Sequence, residues 1–273
     1  MDYQDIQVEI SDRVAIISLQ KPESDNTISD ARIIEELETS IGAMQASNDV
    51  SVLILTGSGK IFSAGGNVKA MRDHSGMFSG EPIEVYENYR EGVQRITRLM
   101  AQLDLVTLAA VNGTAIGAGC DLALMCDLRI AARSARFGQG FVNLGIIPGD
   151  GGAWFLARTV PRHIAADLIF SGRLVGAEEA LQMGLVNEVV DDEQLLPRAR
   201  EIAAVIAGKP PLALKMSKRL LNKAYEQSLP DYLDTCAAYQ SLLHPTADHR
   251  EALAAFFEKR PLGSIKENDD RYR

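Results

Sequence analysis

The sequence predicts an α/β fold with a parallel sheet, and three observations support this prediction. Residues 52–56 form a continuous β-rich apolar run, the kind that is buried on both faces of a sheet. Residues 29–44 carry apolar side chains at helical spacing, with Ser29 or Asp30 as the N-cap. Residues 14–19 form an earlier strand-like segment. Strand, helix and strand in this order are typical of a parallel βαβ unit.

The alternation continues through the first two thirds of the chain. A strand at residues 6–10 leads into the strand at 14–19 through a turn at Ser11, Asp12 and Arg13. A long helix, a strand, a short helix and another strand are then predicted at residues 82–102, 105–111, 120–125 and 127–132. We therefore predict a core at residues 1–198.

The composition changes after about residue 199, where helical segments follow one another without a convincing strand between them. These segments are residues 195–207, 211–227, 230–243 and 247–259. Helices that add no sheet usually pack on the core or on a neighbouring subunit. Residues 199–273 are therefore predicted to form a separate helical region, and the polar stretch 263–273 is expected to fray.

Composition and charge exclude several classes of protein. The net charge of −9 disfavours non-specific binding to nucleic acid or to anionic membranes. The three cysteines show no paired framework, and the N-terminus has no apolar signal region, so we expect a cytoplasmic protein with reduced thiols. No apolar run approaches the length of about 18 residues that a membrane span needs. The four histidines show no metal-ligand spacing with acids or cysteines, so no metal site is predicted.

Two glycine-containing turns follow two of the predicted strands. The first glycine turn, residues 62–67, has the sequence FSAGGN, and the second, residues 112–121, has the sequence NGTAIGAGCD. Small residues let a ligand approach the backbone closely, and free N–H groups at a helix start can face developing negative charge. If both turns open at one edge of the sheet, each can give one N–H to the same oxygen and form an oxyanion hole. The alternative is that each turn is a tight connection that needs small residues only for packing.

Nucleotide-binding motifs fit these glycines poorly. The segment GSGK at residues 57–60 has Ile54 where a phosphate-binding loop has its first glycine, and Ile61 where the loop has Ser or Thr. The glycines at 117 and 119 lack the third glycine of a dinucleotide fingerprint, because Leu122 occupies that position.

The two turns carry a resemblance to a known family. Residues 62–69, FSAGGNVK, resemble the F-x-A-G-A-D-[LI]-K segment of the crotonase family, the enoyl-CoA hydratase/isomerase superfamily. Similar motifs follow in order at residues 111–127, 137–139, 144–152, 172–186 and 257–261. The resemblance implies a crotonase-like spiral of ββα repeats with a C-terminal helical region for trimer and hexamer assembly. It also implies a coenzyme A (CoA) thioester as substrate and no metal or redox cofactor.

The resemblance further implies roles for individual residues. The thioester carbonyl is expected between the N–H groups of Ala64 and Ala118, and CoA is expected near the backbone of Ser24 and Asn26. Lys259 matches a basic CoA contact of the C-terminal helix, which in such proteins can come from a neighbouring subunit. Further substrate contacts are expected at Gly65, Gly66, Gly117, Phe141 and Gly149.

The acid/base residues depart from the family pattern. Hydratases of this family use two glutamates, at the positions that Asp121 and Phe141 occupy here. Aspartate is shorter by one methylene, about 1.5 Å, and phenylalanine cannot titrate. Asp150 is a replacement candidate, although it could equally be a cap for the helix that begins near residue 151, and Asp121 could be a first-turn helix acid.

These departures leave the reaction open. One titrating acid beside an oxyanion hole suffices to move a double bond, which favours a Δ3,Δ2-type isomerase slightly over hydration. A hypothesis from another class is a catalytically idle relative that only binds CoA thioesters.

Overall fold

The structure is a computed structural model that describes residues 3–262, so the predicted frayed stretch 263–273 lies outside it. Ten strands form two sheets. In chain order they are β1 (Ile6–Ser11), β2 (Val14–Leu19), β3 (Val52–Gly57), β4 (Ile61–Ser63), β5 (Val106–Val111), β6 (Thr114–Ile116), β7 (Leu128–Ala132), β8 (Arg136–Gly138), β9 (Val175–Gly176) and β10 (Glu188–Val190). The larger sheet has the order β1-β2-β3-β5-β7-β10, and the smaller sheet has the order β4-β6-β8-β9.

Twelve helices, counted within the described residues, surround the sheets. They are α1 (Ala31–Ala46), α2 (Val68–Arg72), α3 (Pro82–Glu91), α4 (Val93–Gln102), α5 (Ala118–Leu124), α6 (Gly152–Thr159), α7 (Arg162–Ser171), α8 (Ala177–Gln182), α9 (Leu195–Ala207), α10 (Pro211–Lys223), α11 (Leu229–Leu243) and α12 (Ala247–Glu258). The N-cap of α1 is Asp30, whose carboxylate accepts a hydrogen bond from the backbone N–H of Ile33, as one of the two predicted caps requires.

The chain repeats one unit, a long strand followed by a short strand and a helix. The long strands β3, β5 and β7 are parallel neighbours in the larger sheet, and the short strands β4, β6 and β8 are parallel neighbours in the smaller one. Each repeat therefore adds one strand to each sheet, which confirms the predicted spiral of ββα repeats. The short strands themselves, three residues each, were not predicted from the sequence.

The larger sheet is covered on both faces. One face packs into the main core with α1, α4 and α5, and the other is covered by α9, whose side chains Leu195, Ala199, Ala203 and Ala207 lie in the second core. Helix α9 thus runs across the boundary predicted between residues 198 and 199, and the core extends to Ala207.

The prediction of a single long helix over residues 82–102 is wrong, because the structure has two helices there. The chain breaks it at Gly92, which has φ −107° and ψ −118°, and α3 and α4 follow one another as separate helices. A Cβ at Gly92 would collide with the carbonyl oxygen of Asn88, so only glycine fits this sharp change of direction.

Asn26 ties the segment that follows β2 to the connection between β3 and β4. Its side-chain amide donates to the carbonyls of Ser58 and Ile61 at 2.9 and 2.8 Å, and its side-chain oxygen accepts from the N–H of Lys21 at 2.9 Å. The residue is fully buried and has φ +53°, a left-handed conformation that asparagine tolerates better than most residues.

We expect Asn26→Ala to lower the free energy of unfolding by about 3 kcal/mol, because three partly buried backbone groups lose their hydrogen-bond partners. Urea denaturation measures the change. The matched control is Asn48→Ala, because the exposed side chain of Asn48 has one hydrogen bond within residues 3–262, from Lys215 at 3.4 Å. Its loss should change stability by less than about 0.5 kcal/mol. Equal effects of the two substitutions would contradict the assigned role of Asn26.

Candidate active site

The two glycine turns meet at one edge of the sheets. Gly65, in the first turn, has φ +74°, and a Cβ on it would lie 2.7 Å from the backbone nitrogen of Ala118 and 2.8 Å from that of Gly119. A Cβ on Gly119 would collide with the carbonyl of Ser63. The turns therefore pack backbone against backbone, and larger residues at either glycine would separate them.

The free N–H groups at this junction differ from the predicted pair. The N–H of Ala64 donates to the carbonyl of Asp25 at 2.9 Å, so the prediction that Ala64 supplies an oxyanion donor is wrong. Gly65 donates to the hydroxyl of Ser63 at 3.1 Å. Within residues 3–262, the N–H groups of Gly66 and Ala118 have no acceptor, and Ala118 is the first residue of α5. Gly66 and Ala118 are therefore the candidate donors.

Two carboxyl groups lie together beneath this junction. Asp121, on α5, is 0% exposed, and Asp150, in the turn before α6, is 3% exposed. The side-chain amide of Gln139 donates to Oδ1 of Asp121 at 2.6 Å. Apart from each other, Oδ2 of Asp121 and both carboxyl oxygens of Asp150 have no hydrogen-bond partner among residues 3–262. Two ionised carboxylates in such a place repel one another, so the pair holds one proton.

The proton has a preferred position. Burial and then the neighbouring charge of Asp150 raise the pKa of Asp121 well above that of an ordinary aspartate. Burial also raises the pKa of Asp150, whereas the hydrogen bond with Asp121 lowers it. These directions favour Asp121 as the member of the pair that carries the proton and Asp150 as the ionised member.

Gly152 makes room for the pair. A Cβ on this residue, the first of α6, would collide with the carboxyl of Asp121. The N-cap of α6 is Gly151, with φ +100°, and no side chain caps the helix. The alternative reading of Asp150 as a helix cap is therefore wrong, and its carboxyl is free for chemistry.

Aromatic rings border the junction. The ring of Phe141 lies 3.6 Å from the position of a Cβ on Gly117, which has φ +54°. The ring of Tyr89 lies 2.9 Å from the position of a Cβ on Gly149. Phe78 packs edge-on against Tyr89 at 6.4 Å between ring centres and comes within 3.7 Å of a Cβ position on Gly66. Aromatic rings therefore lie against Gly66, Gly117 and Gly149, three of the positions at which substrate contacts are predicted.

The remaining predicted contacts fall into three groups. Ser24 lies half-exposed in the segment joined to the first glycine turn through the bridge between Thr27 and Gly65. Asn26 and Gly65 are buried with their polar groups bonded inside the protein, so the structure makes them scaffold residues rather than substrate contacts. Lys259 is exposed at the C-terminal end of α12 and has φ +54°.

The sequence analysis missed three residues of this site. Gln139 orients Asp121, Gly152 leaves space for it, and the ring of Tyr89 lies against Gly149. Gln139 and Gly152 belong to the motifs at residues 137–139 and 144–152, but the roles of all three residues depend on distances that the sequence does not show.

Comparison with known proteins decides the family. The model of the family described as "Enoyl-CoA hydratase/isomerase" matches residues 9–263. This chain belongs to the enoyl-CoA hydratase/isomerase family. The predicted enzyme class is thereby confirmed.

Relatives of this hydratase/isomerase family member match along nearly their whole length. A short-chain-enoyl-CoA hydratase of Clostridium acetobutylicum is 35% identical, with 97% of this chain and 99% of the relative covered. A crotonyl-CoA hydratase of Syntrophomonas wolfei is also 35% identical, with the same coverage. The crystal structure of an enoyl-CoA hydratase from Bacillus anthracis superposes with a TM-score of 0.88 at 33% identity, covering 95% of this chain and 98% of that one.

Across the described part of the chain, no helix is long and apolar enough to cross a membrane.

The acid pair predicts a pH-dependent stability. A pKa raised by folding contributes stability that is present below the pKa of the unfolded chain and is lost as the pH rises through the folded value. Asparagine does not ionise, so Asp121→Asn removes the loss of stability that Asp121 causes as the pH rises. The new side-chain amide can also donate a hydrogen bond to Asp150. We therefore expect Asp121→Asn to be more stable than the parent protein at pH 8, with a smaller difference at pH 5, by thermal unfolding.

The exposed Asp49→Asn is the matched control, because its carboxylate accepts from the hydroxyl of Ser47 at the surface. It should show no such pH-dependent gain. A loss of stability in Asp121→Asn at both pH values would contradict the assignment of a raised pKa.

Proposed function

We propose that the protein is an enoyl-CoA hydratase that adds water across the C2=C3 bond of a 2-enoyl-CoA thioester. The observation that carries the proposal is the buried pair of Asp121 and Asp150 beside two unpaired N–H groups, those of Gly66 and Ala118. The relatives named as short-chain-enoyl-CoA and crotonyl-CoA hydratases support a short acyl chain.

The two N–H groups stabilise the intermediate. When water adds at C3, negative charge develops on the thioester oxygen as an enolate. Fixed donors at that oxygen need no reorganisation during the reaction, and each contributes about 10²–10³ to the rate. The donors belong to different turns, so the contact of Gly65 with the nitrogens of Ala118 and Gly119 sets their spacing.

The two carboxyls divide the proton transfers. The ionised Asp150 takes a proton from water as the water oxygen bonds to C3, and the electron pair of the double bond moves into the enolate. The protonated Asp121 then gives its proton to C2, which restores the thioester carbonyl. Asp150 then holds the proton taken from water and Asp121 is ionised, so transfer of that proton from Asp150 to the adjacent carboxylate of Asp121 resets the pair. No metal or redox cofactor takes part in these steps.

Double-bond isomerisation is the second candidate, favoured by Phe141. An apolar ring where the family's second glutamate stands removes one group that could hold water near C3. With a 3-enoyl thioester, a carboxylate would remove a proton from C2 and return it to C4 through the same enolate. The sequence favours isomerisation on the premise of a single titrating acid. The site has two acids, so hydration is the preferred reaction.

The proposal extends to partners. The CoA part of the substrate is proposed to contact Ser24 and, from α12, Lys259. Self-association as a trimer or a dimer of trimers would cover the exposed apolar side chains near the C-terminal end of the described chain, among them Phe256 and Phe257, which are 76% and 78% exposed. A cytoplasmic location fits the three free cysteines.

The first test replaces each acid. We expect Asp150→Asn and Asp121→Asn each to lower kcat for crotonyl-CoA hydration about 10²–10⁴-fold, because each removes one proton-transfer group. Loss of the enone absorbance measures the rate, and 3-hexenoyl-CoA tests isomerisation in parallel. Asp49→Asn, exposed before the start of β3, should keep full activity. Near-full activity in Asp150→Asn would refute the assignment of Asp150 as the base. Inactivity of the parent protein on both substrates would refute the proposed hydratase and isomerase activities.

The second test is the pH dependence. Activity requires Asp150 ionised and Asp121 protonated, so kcat should rise as Asp150 loses its proton and fall as Asp121 loses its own. Because the pKa of each residue is raised, the bell-shaped profile of kcat against pH should lie above the pH range in which ordinary aspartates titrate. A profile that stays flat from that range to alkaline pH would be incompatible with the pair.

A further inference from the structure

We infer that Gln94 and Thr97 are positioning residues that hold the turn of Asp150 against Asp121. Neither residue belongs to a motif identified in the sequence. The inference rests on the proposed function, in which Asp150 is the base. It assigns a part of the proton-transfer machinery to α4, a helix that contributes no acid or oxyanion donor.

The contacts join α4 to two successive carbonyl groups. The side-chain amide of Gln94 donates to the carbonyl of Gly149 at 2.8 Å, and the hydroxyl of Thr97 donates to the carbonyl of Asp150 at 2.7 Å. The methyl group of Thr97 also lies 3.4 Å from the position of a Cβ on Gly151. Three consecutive residues, with Asp150 in the middle, are thus held from one helix face.

Helix α4 is held in place by its packing in the main core. Gln94 and Thr97 are three residues apart and therefore share one face of α4. Val93, Ile96 and Met100 are buried in the main core on another face. Movement of α4 would disturb this packing, so the two hydrogen bonds transmit the rigidity of the core to the turn.

The turn needs such support because little else orients it. Its own backbone bond, from the N–H of Gly151 to the carbonyl of Pro148, is long at 3.4 Å. Apart from Asp121, no side chain among residues 3–262 donates a hydrogen bond to the carboxyl of Asp150. Glycines flank Asp150 on both sides. When both carboxyls carry charge they repel one another, and a turn without external bonds would relieve the repulsion by moving away.

The test uses substitutions that remove a hydrogen bond with little change in size. We expect Thr97→Val and Gln94→Met each to lower kcat about 10-fold with KM within about two-fold, because a displacement below 1 Å at a proton-transfer group is felt mainly in the chemical step. The alkaline limb of the pH profile should move to lower pH, since Asp121 loses part of the neighbouring charge that raises its pKa.

Two controls separate positioning from stability. Thr97→Ser keeps the hydroxyl and should retain kcat within about two-fold. Thr159→Val removes a comparable bond, from the hydroxyl of Thr159 to the carbonyl of Phe155 at 2.9 Å, far along α6 from the pair, and should leave the pH profile unchanged.

A double-mutant cycle gives the decisive result. If Thr97 acts through Asp150, adding Thr97→Val to Asp150→Asn should cause no further loss of kcat. Additive losses, or an unchanged pH profile in Thr97→Val, would overturn the inference while leaving the base assignment in place. If Asp150→Asn alone keeps full activity, the proposed function fails separately, whatever the Thr97 variants do.

Discussion

The contact between the two glycine turns is the constraint on which the rest of the site depends. Gly65 lies against the backbone nitrogens of Ala118 and Gly119, and Gly119 in turn lies against the carbonyl of Ser63. This approach brings the N-terminus of α5 beside the first turn and so leaves the N–H of Ala118 facing the junction. It also fixes the start of the helix that carries Asp121. One backbone contact therefore places a donor and an acid together.

The acid pair shows how stability is balanced against function. Asp121 and Asp150 are buried with few hydrogen bonds, an arrangement that a stable core avoids. The surrounding protein compensates with side-chain hydrogen bonds that take no part in the chemistry, from Gln139 to one carboxyl and from α4 to the turn that carries the other. Sites of this kind are expected to be less stable than their surroundings, because the same burial that raises each pKa opposes the charged form.

The sequence predicted the fold well because its main signals are local. The β-rich run at 52–56 and the cap at Asp30 lie within single elements, and the ordered family motifs supplied the spiral. The break at Gly92 was missed because a glycine inside a helical pattern is tolerated in many helices, and only the distance to Asn88 forbids a side chain there. The donor at Ala64 was wrong for a similar reason, since its partner Asp25 lies 39 residues earlier in the chain. Long-range contacts decide which groups stay free.

The position of Phe141 has a consequence for how this protein can diversify. In the family pattern residue 141 would carry an acid, so its identity would be fixed by the reaction. Here the second acid is assigned to Asp150, which a different segment supports through its main chain. Under the proposed function, residue 141 is a substrate contact and not part of the proton-transfer machinery, so the two can change independently. Changes in ring size at 141 can then alter which acyl groups are accepted while the acid pair, and thus the chemistry, stays the same.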